Sequence, residues 1–198
     1  MFCFLLHDAD ALKRVTEEVR ACFSSVEDIR DGEQLSKCSF LHACVDETMR
    51  MVPGIPNLLP RRVLEGGATV EDEYIPAGTV IGCSLYTVQR NPDEFDEPDL
   101  FKPDRWMSGD ETIPYSARRS YFPFGHGPRT CVGLKLALAE LHIVVARAVF
   151  LFDMRLAPNA PCCAKAPGGK CTDREFYGYV GVHLEGPMAQ VRLRQDLA

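Results

Sequence analysis

The chain has 198 residues, with 22 Lys+Arg against 28 Asp+Glu for a formal net charge of −6, and it is 46% hydrophobic and 9% aromatic. That composition excludes a disordered or collagen-like chain. The acidic balance, with a pI near 5.4, argues against a nucleic-acid binder, which needs net positive charge to displace phosphate counterions. The length allows one domain, or a piece of a larger one.

The apolar opening Met1 to Leu6 is cut off by His7 and Asp8, far short of the roughly 20 apolar residues of a bilayer span. No transmembrane segment, signal peptide or anchor is expected. The nine cysteines form no repeated spacing, and Cys3, Cys22, Cys38, Cys44 and Cys83 stand singly, which points to reduced, intracellular thiols.

Asp8 and Asp10 are N-cap candidates for an amphipathic helix with Leu12, Val15, Val19 and Phe23 on one face, ending near Ser24-Ser25. A connector containing Gly32 follows. A second helix is predicted from about Ser36, with Phe40, Leu41, Cys44, Val45, Thr48 and Met49 as its stripe, stopped by Pro53. Short β-rich runs come next, at Leu58 to Leu64, Thr69-Val70 and Thr79 to Ile81, with a turn at Pro76-Ala77-Gly78. After a short helix near Leu85 to Arg90, the stretch from Asn91 to Gly127 is proline-punctuated and irregular. A loop that long usually wraps something or carries function. Gly133 to Phe150 reads as an apolar helix buried on most sides, and Tyr179 to Leu184 with Ala189 to Leu193 reads as a terminal hairpin joined by Glu185-Gly186-Pro187.

The chemistry concentrates in the run from Phe122 to Gly133. Its glycines and prolines fix a tight backbone that leaves Cys131 at or just before a helix N-terminus, where partial positive charge favours a thiolate. Glycines let a large flat group approach the backbone, and Arg129 offers a permanent cation suited to a carboxylate. A lone cysteine in such a turn is ordinarily structural. Zinc would need companions, and no second Cys or His stands at finger-like spacing from Cys131; a zinc module built on Cys162, Cys163 and Cys171 is disfavoured because adjacent cysteines strain a shared tetrahedral site.

Phe124, Gly127, Arg129, Cys131 and Gly133 resemble the heme-binding loop of the cytochrome P450 family, Phe-x-x-Gly-x-Arg-x-Cys-x-Gly. Five fixed positions match by chance in about one in 10⁴ chains of this length. Glu47-Thr48-Met49-Arg50 is similar to that family's Glu-x-x-Arg, which by itself is an ordinary i,i+3 pair. Phe101-Lys102-Pro103-Asp104-Arg105-Trp106 resembles its Phe-x-Pro-Glu-Arg-Phe/Trp element, with Asp104 in place of Glu.

The resemblance implies an α+β, mainly helical fold with a small β-sheet and hairpins, residues 1–198 forming the carboxy-terminal, heme-binding part of the domain. It implies heme b held by the thiolate of Cys131. Around it stand Phe124, Gly127, Arg129 and Gly133, with Arg61, in preference to its neighbour Arg62, directed to a propionate. Glu47, Arg50 and Arg105 would form a buried triad under the loop. Gln89 stands where many relatives carry His, Pro53 to Leu59 resembles a substrate-contacting entry, and the turn at Glu185 to Pro187 lies in a region that approaches substrate. Met1 to Asp8 resembles the end of the long central helix, whose oxygen-activating Ala-Gly-x-x-Thr segment is absent. The activity so implied is insertion of one oxygen atom into a lipophilic small molecule, with electrons from NADPH-cytochrome P450 reductase, in a eukaryotic and fungal style of secondary metabolism. Full-length relatives sit at the endoplasmic reticulum membrane. The rival expectation is a truncated, catalytically inactive heme-binding or interaction remnant, since these residues alone hold one side of an active site.

Overall fold

The computed structural model describes residues 1–107, 119–158 and 188–195. Helices dominate and the sheets are small, the α+β arrangement expected. The chain opens with α1 (Phe2–His7) and breaks at Asp8, whose side chain accepts from the Ala11 amide at 2.9 Å and caps α2 (Ala9–Cys22). The periodicity of α2 delivers Ala11, Val15 and Val19 to the core, at roughly 1.5 to 3 kcal/mol for each buried valine.

The second predicted helix starts at Ser39 rather than near Ser36, and the end of the Gly32 connector is itself helical. Residues Glu33–Ser36 form a one-turn α3, closed by the Lys37 and Cys38 amides donating to Gln34 and Leu35, and α4 runs Ser39–Met51. The start of α4 is set from outside its own sequence. Glu18 on α2 accepts from the amides of Phe40 and Leu41, both at 2.9 Å, a charge-assisted cap at the positive end of the helix. Val52 ends α4 before Pro53, as expected.

Three two-stranded antiparallel sheets follow among the described residues. β1 (Arg61–Arg62) pairs with β4 (Val80–Ile81), and β2 (Ala68–Val70) with β3 (Glu73–Ile75). Gly78 takes φ +85 in the expected turn, where a side chain would strain the backbone. α5 (Leu85–Val88) is capped by Ser84, and the described parts of the proline-rich stretch include 3₁₀ turns at Pro103–Trp106 and Gly127–Arg129.

α6 (Leu134–Leu151) is the predicted apolar helix, but it is not buried on most sides. Val145, Ala146, Val149 and Phe150 are buried against α2 and α4, while Leu136 is 65% and Val144 61% exposed. Its low amphipathicity left the seated face unreadable. The terminal hairpin lies only partly among the described residues. Its second run is β6 (Ala189–Leu193), which pairs with β5 (Phe152–Leu156) in register Phe152 with Leu193. The proposed partner, Tyr179 to Leu184, lies outside the described residues, as do Cys162, Cys163, Cys171 and Glu185 to Pro187.

The core lies where α2, α4 and the second half of α6 meet. Arg20 ties the end of α6 to α2, donating to the carbonyls of Val149 and Phe152, both at 3.1 Å, and to Asp153 at 2.9 Å. The α4–α6 contact brings the rings of His42 and His142 to 3.9 Å between centroids, tilted by 45°. Burial, then the neighbouring His42, pulls His142 down to about 4 against its ordinary 6.5, with Asp31 opposing.

Because the folded chain resists a proton that the unfolded chain accepts, His142 contributes stability that is complete above about pH 6.5 and is lost as pH falls toward 4. Urea midpoints at pH 7 and pH 4.5 are expected to fall further apart for the native chain than for His142→Phe; an equal fall in both would remove His142 as the cause.

Candidate functional site

A carboxylate and a guanidinium lie three residues apart on the inward face of α4, both with no solvent exposure. Arg50 Nε donates to Glu47 Oε2 and Arg50 Nη2 to Glu47 Oε1, each at 2.9 Å, a bidentate fork. Arg105 Nε adds a bond to Oε1 at 3.1 Å, so the expected triad is assembled. The carboxylate gathers two further donors from the same turn, the Lys102 amide and Trp106 Nε1, both at 2.9 Å. Arg50 in turn holds the carbonyls of Gln89 at 2.8 Å and Leu100 at 3.3 Å, and Arg105 Nη2 that of Asp96 at 3.0 Å. A stretch without helix or strand thus satisfies its backbone through buried side chains.

Asp104, the departure from the family pattern, forms a bidentate pair with Arg14 on α2 at 2.8 and 2.6 Å. That hydrogen bond holds its carboxyl below the usual range. Gln89 is fully buried, its Nε2 donating to the carbonyls of Met49 at 3.1 Å and Arg50 at 3.0 Å, which makes it a tie to the end of α4.

The cysteine loop is tied at its entry to the same helix. Tyr121 Oη donates to Asp46 Oδ1 at 2.9 Å and its ring rests on Trp106, 4.5 Å between centroids. Burial pushes the Asp46 carboxyl up, with the Tyr121 bond opposing. Gly125 (φ +80) and Gly127 (φ +75) then turn the chain through the left-handed region. The Gly125 amide donates to Phe122 O and the Cys131 amide to Phe124 O, each at 2.8 Å, and Thr130 closes on Gly127 O through its amide at 3.0 Å. Cys131 emerges exposed, three residues before α6 begins.

Phe124, Gly127, Arg129, Cys131 and Gly133 are therefore brought into one turn, and a Cβ added at Gly133 would stand 3.8 Å from Cys131 Sγ. Phe124 is half-buried and Arg129 exposed. Arg61 belongs to another element, exposed on β1 with Nη1 on the Pro60 carbonyl at 3.0 Å. Tyr121 and Asp46 had no part in the expectations from sequence, and Trp106 entered only as the end of the Phe101 to Trp106 element. Only the aromatic character of Tyr121, near a charged stretch, could have signalled the pair. Among the described residues no three His, Cys, Asp or Glu gather around a common point. The Cys131 sulfur accordingly stands as a single soft donor, suited to an ion that brings its other ligands with it.

The protein-family model for cytochrome P450 matches residues 1–168. The chain belongs to the cytochrome P450 family. It is 36% identical over 201 residues to a cytochrome P450 monooxygenase, AFT11-1, of Alternaria alternata, covering 98% of this chain and 39% of that protein. It is 38% identical over 189 residues to the cytochrome P450 monooxygenase poxM of Penicillium oxalicum, covering 96% and 35%. A solved zebrafish cytochrome P450, described with abiraterone, superposes with a TM-score of 0.77 at 27% identity over 98% of this chain and 42% of that one. This P450 chain therefore spans well under half of these relatives. P450 domains are heme domains. No described helix of this one is long and apolar enough to cross a membrane.

Removing the Glu47 carboxylate strands two guanidinium groups, an amide and an indole N–H in a buried site. Glu47→Ala is expected to lose about 3 to 5 kcal/mol of unfolding free energy, read by urea denaturation, with heme content falling alongside. A fully stable, heme-loaded Glu47→Ala protein defective only in turnover would contradict this structural role.

Proposed function

We propose that these residues form the heme-holding side of a monooxygenase that inserts one atom of dioxygen into a lipophilic organic molecule, with Cys131 as the thiolate ligand of heme b. The observation that carries this is the exposed Cys131 sulfur, held by the bond from its amide to Phe124 O in a P450 chain. The loop fits the group. Gly127 has open space where a Cβ would stand, and Cys131 is exposed just before α6 begins. When bound, the heme supplies the oxygen chemistry, which electron donation from an axial thiolate promotes.

The rest of the work falls to this chain. Arg129 and Arg61 neutralise the propionates, Arg61 by exchanging its Pro60 carbonyl. Phe124 offers an apolar edge to the macrocycle, and Gly127 and Gly133 keep side chains out of its way. Glu47, Arg50 and Arg105 hold the wrap beneath the loop so that the sulfur does not drift. NADPH-cytochrome P450 reductase is the electron donor in this reading, and the fungal relatives favour a role in secondary metabolism at the endoplasmic reticulum. The rival reading, an inactive heme-binding remnant, draws on the exposure of Cys131 and of the neighbouring Val132.

Reduced, heme-loaded protein is expected to give the thiolate-type carbonyl spectrum, and Cys131→Ala to abolish it; an unchanged spectrum in that variant would refute the ligand assignment. Arg61→Ala and Arg129→Ala are expected to retain heme more weakly, by severalfold in dissociation rate, without changing the spectral type.

A site open to water on one side does not complete the reaction, because catalysis needs a closed, preorganised pocket. The 198 residues by themselves, given heme, reductase, NADPH and a panel of lipophilic compounds, are expected to yield no product, whereas a longer chain carrying them and a distal wall does. Failure of the longer chain as well would favour the remnant.

A further inference from the structure

Cys22 is the last residue of α2 and Cys38 the N-cap of α4. Glu18 lies one helical turn before Cys22 on the same face of α2, and its carboxylate is bonded to the amides of Phe40 and Leu41. The next turn of that face therefore meets the chain just before them, at Cys38, two residues ahead of Phe40. The packing agrees. Cys38 is fully buried in the core cluster with Leu35 and Ile29, and Cys22 packs against that cluster, half-buried. The Gln34 side chain also donates to the Cys22 carbonyl, holding the intervening segment down. Both thiols are free.

We propose that Cys22 and Cys38 are a redox-active pair that closes a reversible disulfide by exchange with a low-molecular-weight disulfide such as oxidised glutathione. Only Cys22 is reachable from solvent, so it acts first. It gives its proton to water, its sulfur attacks one glutathione sulfur, the glutathione S–S bond breaks, and a glutathione thiolate leaves and is protonated. Cys38 then loses its proton and attacks the Cys22 sulfur, forming the internal bond and expelling the second glutathione. Two protein thiols are oxidised by two electrons, and one glutathione disulfide is reduced to two thiols. The product fastens the end of α2 to the start of α4, the helix that carries Glu47 and Arg50.

Burial, reinforced by a hydrogen bond shared with Cys22, holds the Cys38 thiol up at about 12. Its attack is the slow step and should accelerate about tenfold per pH unit through the neutral and mildly alkaline range, because the thiolate is the attacking species.

The test uses the whole chain, treated with oxidised glutathione, blocked with maleimide and cleaved with trypsin. The fragment containing Cys22 is expected to be joined to the one containing Cys38, with two hydrogens lost and the link reversed by dithiothreitol. Cys44 shares the Cys38 fragment, so Cys44→Ala should retain the link while Cys38→Ala and Cys22→Ala abolish it. Should Cys38→Ala not fold, fragment-ion assignment of the linked sulfur in the native chain, with Cys22→Ala as the unlinked control, decides the same point. Glutathione left standing on Cys22 with no internal link, a link to Cys44, no reaction at either cysteine, or closure independent of pH would each overturn the proposal.

Discussion

One carboxylate organises the molecule. Glu47 is buried without exposure, and an ionised carboxylate in that setting is tolerated only when every lone pair is occupied. Its oxygens are filled by Arg50 and by three donors from the segment Lys102 to Trp106. The irregular wrap is therefore the coordination shell of a side chain. Where a sheet spreads its hydrogen bonds over many residues, this chain concentrates them at a point. That explains how a proline-rich stretch keeps one conformation without a ladder of its own.

The cysteine loop inherits its position from the same helix. Asp46 holds Tyr121 at the entry to the loop, Trp106 lies between Tyr121 and Glu47, and the exit runs into α6. α6 is fixed at its far end by Arg20 and at its buried face by α2 and α4. Cys131 is thus placed by elements that do not include it. The loop needs only its internal bonds and its positive-φ glycines to present the sulfur outward.

Much of this was legible in the sequence. Asp8 announced the cap of α2, the apolar spacing gave α2 and α4, and the glycines around Cys131 marked the turn. What escaped notice had physical reasons. The break at Lys37-Cys38 depends on Glu18, which lies on another helix, so no local pattern of α4 contains it. The seated face of α6 is decided by its neighbours, because apolar residues lie all around it and periodicity has nothing to select. The partner that β6 finds in β5 stands 33 to 41 positions back in the chain, a separation that no local pattern reports. Glu47 and Arg50 read locally as a surface ion pair. Their burial followed only from the family resemblance, and the partners that satisfy it at Gln89, Leu100 and Lys102 are set by the fold.

A single turn of α4, from Asp46 to Arg50, fixes both the wrap and the entry to the cysteine loop. The consequence concerns how such a sequence drifts over evolutionary time. Substitutions within that turn must be matched at several distant positions at once, while most others answer only to local packing. A fold anchored in this way tolerates wide divergence over the remainder of its surface. A TM-score of 0.77 at 27% identity is the outcome expected of that architecture.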